Sequence, residues 1–332
     1  MNGKYGMIKP SGEVKVPFEY DFIEYYDTNH LSSEYYNAKK GKIYSFYNKN
    51  LIKIGESYES LYSDFTVSNP IISFANLDGK FGVVDWEGNV IIPFLYSEEI
   101  SFKGEKFAIA KRGKKFGIIS NQNEEIFPFI FENIYELDGV ENLKNTYIFS
   151  NKREQKVVNL NGKVFLSDYK TIHPIFYDHS KFIVEKNNKF GVVDLRNKTL
   201  LPIIYDEISD WVEYGPEAHF IKINGKTGLI AQKTFKEFIP PIYENFIYRN
   251  GFIFASKKGK YGILNARGEV LCDFLFDEIK PNFGFGFRYN DEEDKIYAKT
   301  GNQYYEISEN GKILKTISLQ EFKEKTGKTK IK

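Results

Sequence analysis

The sequence is poor in cysteine, since Cys272 is the only one among 332 residues. A single cysteine excludes an intramolecular disulfide framework and a zinc cluster held by cysteines, and it is typical of proteins in a reducing compartment. Long apolar runs are lacking as well, because none approaches the roughly 18 residues that span a bilayer, and no apolar signal core follows Met1. We therefore expect a soluble, cytoplasmic protein.

The sequence also lacks an excess of charge of either sign, because 46 lysines and arginines are balanced by 45 aspartates and glutamates. The net charge of +1 gives no electrostatic argument for nucleic acid, an anionic membrane or an acidic substrate, so we expect no nucleic-acid or membrane partner. Phosphate-binding loops are missing too, since no G-x-x-x-x-G-K-[ST] motif occurs and no G-x-G-x-x-G motif stands between a strand and a helix. We expect no cofactor.

Aromatic residues, in contrast, are abundant, with 30 phenylalanines and 24 tyrosines, and they belong to a pattern that recurs along the chain. A typical copy has a Gly-Lys or Asn-Lys turn, an aromatic-glycine pair, an apolar run, a second turn, an apolar run with proline, and a close of aromatic, acidic, any residue and isoleucine. The recurring glycines are Gly6, Gly82, Gly117, Gly191, Gly228 and Gly262. Three degenerate copies place Tyr44, Lys156 and Tyr305 at the glycine position, so successive copies lie 34 to 43 residues apart.

Repetition at such a period is typical of tandem units that complete their cores by packing on one another. Although the length alone favours two domains, we predict one array of nine units over residues 1–317, followed by a short helix and a basic tail over residues 318–332. Ser318 as N-cap, Glu321 three residues later and Gly327 as a stop signal predict the helix.

Each unit is predicted to contain three β-strands. In the unit around Gly117 they are residues 106–111 (KFAIAK), 115–120 (KFGIIS) and 125–131 (EIFPFIF), which are rich in aromatic and β-branched residues. Glycine or asparagine in the first turn supplies the positive φ of a tight hairpin, and an aspartate or asparagine at the start of the second turn caps its own backbone. Because prolines recur in the third strand, that strand should lie at a sheet edge or carry a break. These prolines are Pro17, Pro93, Pro128, Pro202 and Pro240.

The predicted fold is all-β, a tandem array of about nine three-stranded β-meanders of about 37 residues each, stacked as an open elongated or superhelical array. A closed β-propeller-like ring is the alternative, because blades of about 40 residues are also typical of propellers. No strand precedes the one at Tyr5, and no spare strand follows Ile317 to replace it, which favours the open array over closure by strand exchange. A radius from small-angle scattering that matches a compact ring would contradict the open array.

A glycine inside a strand either lets another backbone approach closely or makes room for a ring. The pattern favours room for a ring at the recurring glycine. An aromatic residue precedes five of the six glycines, points to the opposite face of the strand and is expected to supply a ring to a neighbouring unit. These residues are Tyr5, Phe81, Phe116, Phe190 and Tyr261.

The carboxylate that follows the closing aromatic residue is expected to be structural. It is positioned to accept turn N–H groups or to meet the turn lysine of a neighbouring repeat. The carboxylates are Asp21, Glu59, Glu132, Asp206, Glu244 and Asp277, and the turn lysines are Lys4, Lys42, Lys80, Lys189, Lys226 and Lys260.

The order and spacing of these features resemble the WG (KWG) repeat family of bacterial proteins over about the whole chain. The tryptophan that gives the family its name is tyrosine or phenylalanine here, and Thr227 in one copy. The resemblance implies β-rich tandem units that are often attached to other modules and mediate interactions. It implies no catalytic residues.

A non-catalytic repeat scaffold that binds a protein, peptide or glycan partner is the function favoured by the sequence. The junctions between the third strand of one unit and the first strand of the next differ in length and content, so we expect loops on a common rim there. The most distinctive junctions are residues 25–36, 137–146, 211–219 and 282–294. Because aromatic and arginine side chains are preferred anchors, the candidate binding residues are Tyr25, Tyr26, Trp211, Tyr214, Phe285 and Arg288.

An enzyme or sensor with a site assembled between repeats, near His173, Asp178 and His179, is the alternative. The spacing of these residues matches no zinc motif. Cys272 lies in the apolar stretch VLCDFLF, which favours a buried, inert thiol over a nucleophile.

Overall fold

The computed structural model describes residues 3–28, 33–64, 72–85, 89–103, 106–137, 143–175, 178–209, 217–282 and 294–327. In these segments the chain forms β-strands and one short α-helix. The chain divides into two compact units, Met1–Ser167 and Asp168–Lys332. No helix in the described segments is both long and apolar enough to cross a membrane.

The strands pair in chain order into small antiparallel sheets, and we call the four strands of a complete sheet a, b, c and d. Sheet 1 has strands c and d in the described residues, β1 (Tyr5–Ile8) and β2 (Val14–Tyr20). Sheet 2 consists of β3 (Phe22–Thr28), β4 (Ser33–Lys40), β5 (Ile43–Asn48) and β6 (Lys53–Tyr58). Sheet 3 consists of β7 (Ser60–Asp64), β8 (Ile72–Leu77), β9 (Lys80–Asp85) and β10 (Val90–Tyr96). Sheet 4 consists of β11 (Ser101–Phe102), β12 (Phe107–Arg112), β13 (Lys115–Ser120) and β14 (Glu125–Phe131).

The remaining sheets follow the same plan. Sheet 5 consists of β15 (Asn133–Glu136), β16 (Thr146–Ser150), β17 (Gln155–Asn159) and β18 (Val164–Tyr169). Sheet 6 consists of β19 (Thr171–Ile175), β20 (Asp178–Lys186), β21 (Lys189–Asp194) and β22 (Thr199–Tyr205). Sheet 7 consists of β23 (Glu207–Ile208), β24 (Ala218–Ile223), β25 (Lys226–Ala231) and β26 (Glu237–Tyr243). Sheet 8 consists of β27 (Phe246–Arg249), β28 (Phe252–Lys257), β29 (Lys260–Asn265) and β30 (Val270–Phe276), and sheet 9 of β31 (Glu278–Asn282), β32 (Lys295–Thr300), β33 (Gln303–Ile307) and β34 (Ile313–Ile317).

The predicted all-β tandem repeat fold is confirmed, with one addition to each unit. Strands b, c and d lie where the sequence predicts three strands, as β12, β13 and β14 show in sheet 4. A fourth strand, a, precedes them where the sequence predicts an irregular junction. Strand a varies from two residues in β11 to seven in β3, so it has no constant length or pattern that reveals it in the sequence.

Strand d of one sheet runs almost directly into strand a of the next. In six of the eight connections a single residue separates the two strands, whereas four residues do so after β10 and two after β26. We call the residue that follows strand d the switch residue. The N–H of Asp206 donates to the carbonyl oxygen of Lys222 at 2.8 Å, and that of Asp277 donates to Lys299 at 2.8 Å. The aromatic-acidic close of the sequence pattern is therefore the connection between two sheets.

Strand d is an edge strand, and it carries a break at the proline, as the sequence predicts. In sheet 4, Phe116 pairs with Phe131, whereas Ile118 pairs with Phe127, so strand d has two extra residues over this interval. Pro128 lies in the interval and lacks the N–H that a regular ladder would use.

The recurring glycine lets this irregular part of strand d pass close to strand c. A Cβ on Gly117 would lie 2.7 Å from the carbonyl oxygen of Phe127 and 2.9 Å from the ring of Phe129. The same carbonyl lies within 2.8 Å at all six recurring glycines, and a phenylalanine ring of strand d accompanies it at Gly6, Gly82, Gly117 and Gly262. Close backbone approach therefore explains the glycine at all six positions, and the predicted room for a ring is present at four of them, where the ring belongs to strand d of the same sheet.

The hydrophobic core lies between successive sheets. The aromatic residue before the glycine packs on strands a and b of the next sheet, as predicted. Phe116 of sheet 4 shares a cluster with Ile134 of sheet 5. Phe190 of sheet 6 shares one with Ile208 and Ile221 of sheet 7. Within each of the two compact units, a repeat thus completes its core with its neighbour.

The degenerate copies follow the same register, with one shift from the sequence-based alignment. Lys39 pairs with Tyr44 as Lys111 pairs with Phe116, so Ser45 and not Tyr44 occupies the glycine position of sheet 2. Lys156 and Tyr305 occupy the glycine positions of sheets 5 and 9, as expected.

The predicted turns and the terminal helix are confirmed. In the b–c turn of sheet 7, Asn224 and Gly225 both have positive φ, 49° and 73°. In the c–d turn of sheet 6, Oδ1 of Asp194 accepts the N–H of Arg196 at 2.9 Å. Helix α1 (Leu319–Thr326) begins after Ser318, whose hydroxyl accepts the N–H of Glu321 at 3.1 Å, and it ends before Gly327.

Candidate functional site

The switch carboxylates accept turn N–H groups of the next sheet, as the sequence predicts, but the turn lysine that each one meets belongs to its own repeat and not to a neighbouring repeat. Asp206 accepts a hydrogen bond from the ammonium group of Lys189 in sheet 6 and another from the N–H of Asn224 in sheet 7, the latter at 2.5 Å. The hydrogen bond from Lys189, followed by that from the Asn224 N–H, holds the pKa of the Asp206 carboxyl below its ordinary value. A turn lysine and a turn N–H also meet at Asp21, Glu244 and Asp277. The acidic residues of the pattern are thus engaged in holding the repeats together.

The predicted anchor residues lie mostly outside the described residues. Trp211, Tyr214, Phe285 and Arg288 belong to undescribed segments, and Tyr26 is described by its backbone in β3 alone. The ring of Tyr25 is 47% exposed and lies 5.2 Å from the ring of Tyr36, centroid to centroid. These two tyrosines face each other across the β3–β4 hairpin, so this junction is mainly strand and not the expected loop.

The histidine pair of the alternative site lies at the start of sheet 6. His173 is exposed in β19, and His179 lies in the neighbouring strand β20. Asp178, between them in the sequence, accepts a hydrogen bond from the Ser180 hydroxyl at 2.5 Å and forms an ion pair with Lys181 at 2.7 Å. Burial raises the pKa of Asp178, but these contacts together outweigh it and lower the pKa. The described residues hold no group of three or more His, Cys, Asp or Glu side chains placed for a metal ion.

Cys272 is buried in strand d of sheet 8, as predicted. Burial in apolar surroundings raises the pKa of its thiol to about 11. The c–d turn of sheet 9 covers it so closely that a Cβ on Gly311 would collide with Sγ. This environment keeps the thiol protonated and shielded, which suits packing and not nucleophilic chemistry.

A cleft of about 240 Å³ opens in the second unit, where sheet 7 meets strand a of sheet 8. We call it the sheet 7/8 cleft. It is lined by Glu207, Ser209, Phe220, Ile221, Lys222, Thr227 and Phe246.

Two departures from the repeat form this cleft. Thr227 faces Lys222 at the register position where strand c of sheet 4 has Phe116. Phe246 stands in strand a of sheet 8 where sheet 7 has Ile208. Between sheets 4 and 5, 6 and 7, and 8 and 9, a large ring on strand c shares a cluster with an isoleucine on the next strand a, whereas here strand c has a small side chain and strand a has a ring.

The walls of the cleft are aromatic and its mouth carries an ion pair. The rings of Phe220 and Phe246 meet edge to face, with centroids 5.6 Å apart and an interplanar angle of 86°. At the mouth, Nζ of Lys222 lies 2.7 Å from Oε2 of Glu207. Oγ of Ser209 accepts the N–H of Phe220 at 2.9 Å, which fixes the end of the a–b pairing. This arrangement can receive a flat apolar group, with the ammonium group of Lys222 at the mouth of the cleft.

Thr227 is visible in the sequence as a departure from the pattern, but the cleft is not. A signal was present, since the segment YENF ends in Phe246 where other copies, such as YDEI, end in isoleucine. The signal requires both residues, because a threonine at position 227 or a phenylalanine at position 246 would alone be an ordinary substitution in a degenerate repeat.

Comparison with known proteins gives one family. A family model described as a WG containing repeat matches residues 5–29, 81–116, 190–226 and 231–261. Three of these matches begin at the aromatic residue that precedes a recurring glycine, namely Tyr5, Phe81 and Phe190. No curated protein matches the chain.

Solved structures share low similarity with this chain. A structure titled "Crystal structure of the eukaryotic initiation factor" has 10% identity and a TM-score of 0.28, and the match covers 85% of this chain and 84% of the other. KlHsv2 with loop 6CD replaced by a Gly-Ser linker has 11% identity, a TM-score of 0.27, and coverages of 82% and 88%. AztD of Citrobacter koseri has 11% identity, a TM-score of 0.25, and coverages of 84% and 92%. At these TM-scores the likeness carries no argument about this chain.

Proposed function

Because the chain is a protein of the WG repeat family, we propose that it is a non-catalytic scaffold that binds a protein or peptide partner in the cytoplasm. A glycan is the second ligand class that exposed aromatic residues fit. The observation that carries the proposal is the structural use of the recurring residues. The switch carboxylate of Asp206 joins two sheets, and Gly117 lets strand d pass strand c. Binding is therefore assigned to the parts of the chain that do not recur.

The non-recurring parts offer aromatic surface. Tyr25 is half exposed beside Tyr36 on the hairpin of sheet 2, and the sheet 7/8 cleft presents Phe220 and Phe246. Aromatic side chains are enriched among the residues that dominate binding energy. We propose no catalytic role, and the support is that Asp178, in the middle of the alternative site, is already engaged by Ser180 and Lys181.

Affinity capture with the full chain from its native host tests this function. We expect a reproducible partner that is lost when Trp211, Tyr214 and Phe285 are changed to alanine together. The matched control is Leu275→Ala, which removes a side chain that is 65% exposed on an edge strand and should leave capture unchanged. Capture by the triple variant at the parental level would reject the predicted rim, and the absence of any partner would reject the scaffold. Loss of capture after glycosidase treatment of the lysate would identify a glycan.

A further inference from the structure

We propose that the sheet 7/8 cleft binds one aromatic side chain of the partner, a phenylalanine, tyrosine or tryptophan in an exposed peptide segment. This inference rests on the proposed binding function and names the chemistry that the partner presents. The incoming ring takes the place that a ring of this chain takes between other neighbouring sheets.

The repeat itself shows what this space accepts. Between sheets 6 and 7, the ring of Phe190 packs with Ile208 in one buried cluster. The pairs Phe116 with Ile134 and Tyr261 with Ile279 occupy the same place between sheets 4 and 5 and between sheets 8 and 9. In the cluster between sheets 7 and 8, Phe246 takes part from strand a, and strand c offers Thr227 instead of a ring. A site built by the repeat for an aromatic ring is left with a threonine.

The size of the cleft matches one ring. Its volume is about 240 Å³. An apolar cavity of about 150 Å³ is enough to bind benzene, whereas sites for drug-sized ligands span about 300–1,000 Å³. The cleft is therefore large enough for a phenyl or indole group and too small for a bulky organic ligand.

The repeat also provides a cation for this ring. In sheet 4, Nζ of Lys111 lies 4.9 Å from the ring centroid of Phe116, and in sheet 2, Nζ of Lys39 lies 5.0 Å from that of Tyr44. Lys222 occupies the same register position in sheet 7, across from Thr227. A ring that enters the cleft thus gains a cation–π contact, and the rings of Phe220 and Phe246 offer edge-to-face contacts from the walls.

The mouth of the cleft opens to solvent, because the side chains of Lys222 and Glu207 are 41% and 61% exposed. A single ring buries too little surface for tight binding by itself, but it is the typical anchor of a larger protein interface. A side chain on a partner peptide is therefore favoured over a free aromatic compound.

Methyl NMR on the full chain, labelled at isoleucine and threonine methyl groups, tests the inference. The probes are the peptides Ac-Gly-Phe-Gly-NH2 and Ac-Gly-Trp-Gly-NH2, with Ac-Gly-Leu-Gly-NH2 as the aliphatic control. We expect saturable shifts of the Thr227 and Ile221 methyl signals with a Kd of about 0.1–10 mM, as suits one ring. The methyl signal of Ile118, in the core of sheets 4 and 5, should stay unchanged.

Two variants connect these shifts to the cleft. Thr227→Phe fills the space with the ring that the repeat usually has, and it should raise the Kd at least tenfold. Thr199→Phe, at an exposed position of strand d in sheet 6, is the matched control and should bind like the parent. Lys222→Gln leaves the packing in place and removes the cation, so it should raise the Kd by about two- to fivefold even if Thr227→Phe does not fold.

The results separate this inference from the proposed function. Absence of saturable shifts, equal binding of the leucine peptide, or an unchanged Kd in Lys222→Gln would overturn the aromatic site. Binding of p-cresol without binding of either aromatic peptide would overturn the assignment to a partner's side chain. If Thr227→Phe still captured the cellular partner, the cleft would be rejected while the scaffold function stood. If the parent captured no partner, the scaffold would be rejected whatever the peptides did.

Discussion

The ammonium group of Lys260, in strand c of sheet 8, lies 2.5 Å from Oδ1 of Asp277, the residue through which the chain enters sheet 9. The other carboxylate oxygen of Asp277 accepts the N–H of Gly301 in the b–c turn of sheet 9 at 2.6 Å. One carboxylate therefore connects two sheets in addition to the covalent link. Asp21, Asp206 and Glu244 repeat the arrangement, so the acidic residues of the pattern are expected to act on stability.

Replacement of Asp206 by alanine tests this role. We expect the melting temperature to fall by about 2–4 °C, because the Lys189 ammonium and the Asn224 N–H lose their acceptor, while binding of the partner is retained. The measurement is thermal unfolding followed by circular dichroism. Asp273→Ala, on the exposed side of strand d in sheet 8, is the control and should melt like the parent. A variant that melts like the parent but loses its partner would assign the motif to function instead.

The switch carboxylates also predict how stability depends on pH. Hydrogen bonds from turn lysines and turn N–H groups lower the pKa of Asp206, Glu244 and Asp277 in the folded protein. The unfolded chain then binds protons at a higher pH than the folded chain, so the stabilisation is present above the unfolded pKa and is lost as the pH falls from about 5 through the lowered values. We expect Asp206→Asn to be less stable than the parent at pH 7 and the difference to shrink towards pH 3. A difference that grew on acidification would contradict this linkage.

The glycine of the aromatic-glycine pair should tolerate no side chain. In Gly117→Ala the new methyl group meets the carbonyl oxygen of Phe127 and the ring of Phe129, and we expect a loss of about 1–3 kcal/mol in the free energy of unfolding. Gly113→Ala in the same hairpin meets no atom within 4 Å but needs a positive φ of 62°, so it should cost about 1–2 kcal/mol through backbone strain alone. Urea unfolding of both variants measures the two effects. A Gly117→Ala variant that is as stable as the parent would show that crowding by strand d does not require the glycine.

Strands b, c and d were predictable because their signals are local. Turn residues such as Asn224 and Gly225, and alternating apolar residues between turns, fix where these strands begin and end. Strand a was missed because its length changes from sheet to sheet and its pairing partner is set by the hairpin that follows. The explanation of Gly117 was missed in part, since the extra residues of strand d appear only in the register with strand c.

The candidate site was less predictable than the fold. The cleft depends on Thr227 and Phe246, which lie in different sheets and come together only when those sheets pack. The predicted anchor Tyr25 is exposed as expected, but its place in a hairpin follows from pairing with Tyr36 and not from its own sequence signal. The switch carboxylates, in contrast, are predicted with their turn N–H partners, because charge and repeat position are both visible in the sequence. The repeat that supplies the lysine is not, since the two turns that flank a switch residue look alike in the sequence.

Cys272 is expected to be unreactive in the folded protein. Its thiol pKa of about 11 leaves little thiolate at pH 7.5, and the turn at Gly311 blocks the approach of a reagent. Alkylation by iodoacetamide should be about 100-fold slower in buffer than in 8 M urea, as followed by mass spectrometry. Cys272→Ser, which lacks the thiol, is the control for alkylation at other residues. Equal rates in the two conditions would show that the turn of sheet 9 opens readily.

Thr227 is small where other repeats have a ring, and Phe246 is large where they have isoleucine. We therefore expect the effects of substituting these two residues on the free energy of unfolding to be coupled. Phe246→Ile alone removes a ring from the cleft wall and should cost about 1–3 kcal/mol, because no ring on strand c replaces it. Thr227→Phe added to it restores the ring-and-isoleucine pair that Phe190 and Ile208 form between sheets 6 and 7, and should recover most of that loss. The coupling from the double-mutant cycle, measured by urea unfolding of the parent, both single variants and the double variant, is expected to be favourable by about 0.5–3 kcal/mol. Additive effects would mean that the two residues do not share one packing site, and the cleft would then not be the position of a missing ring.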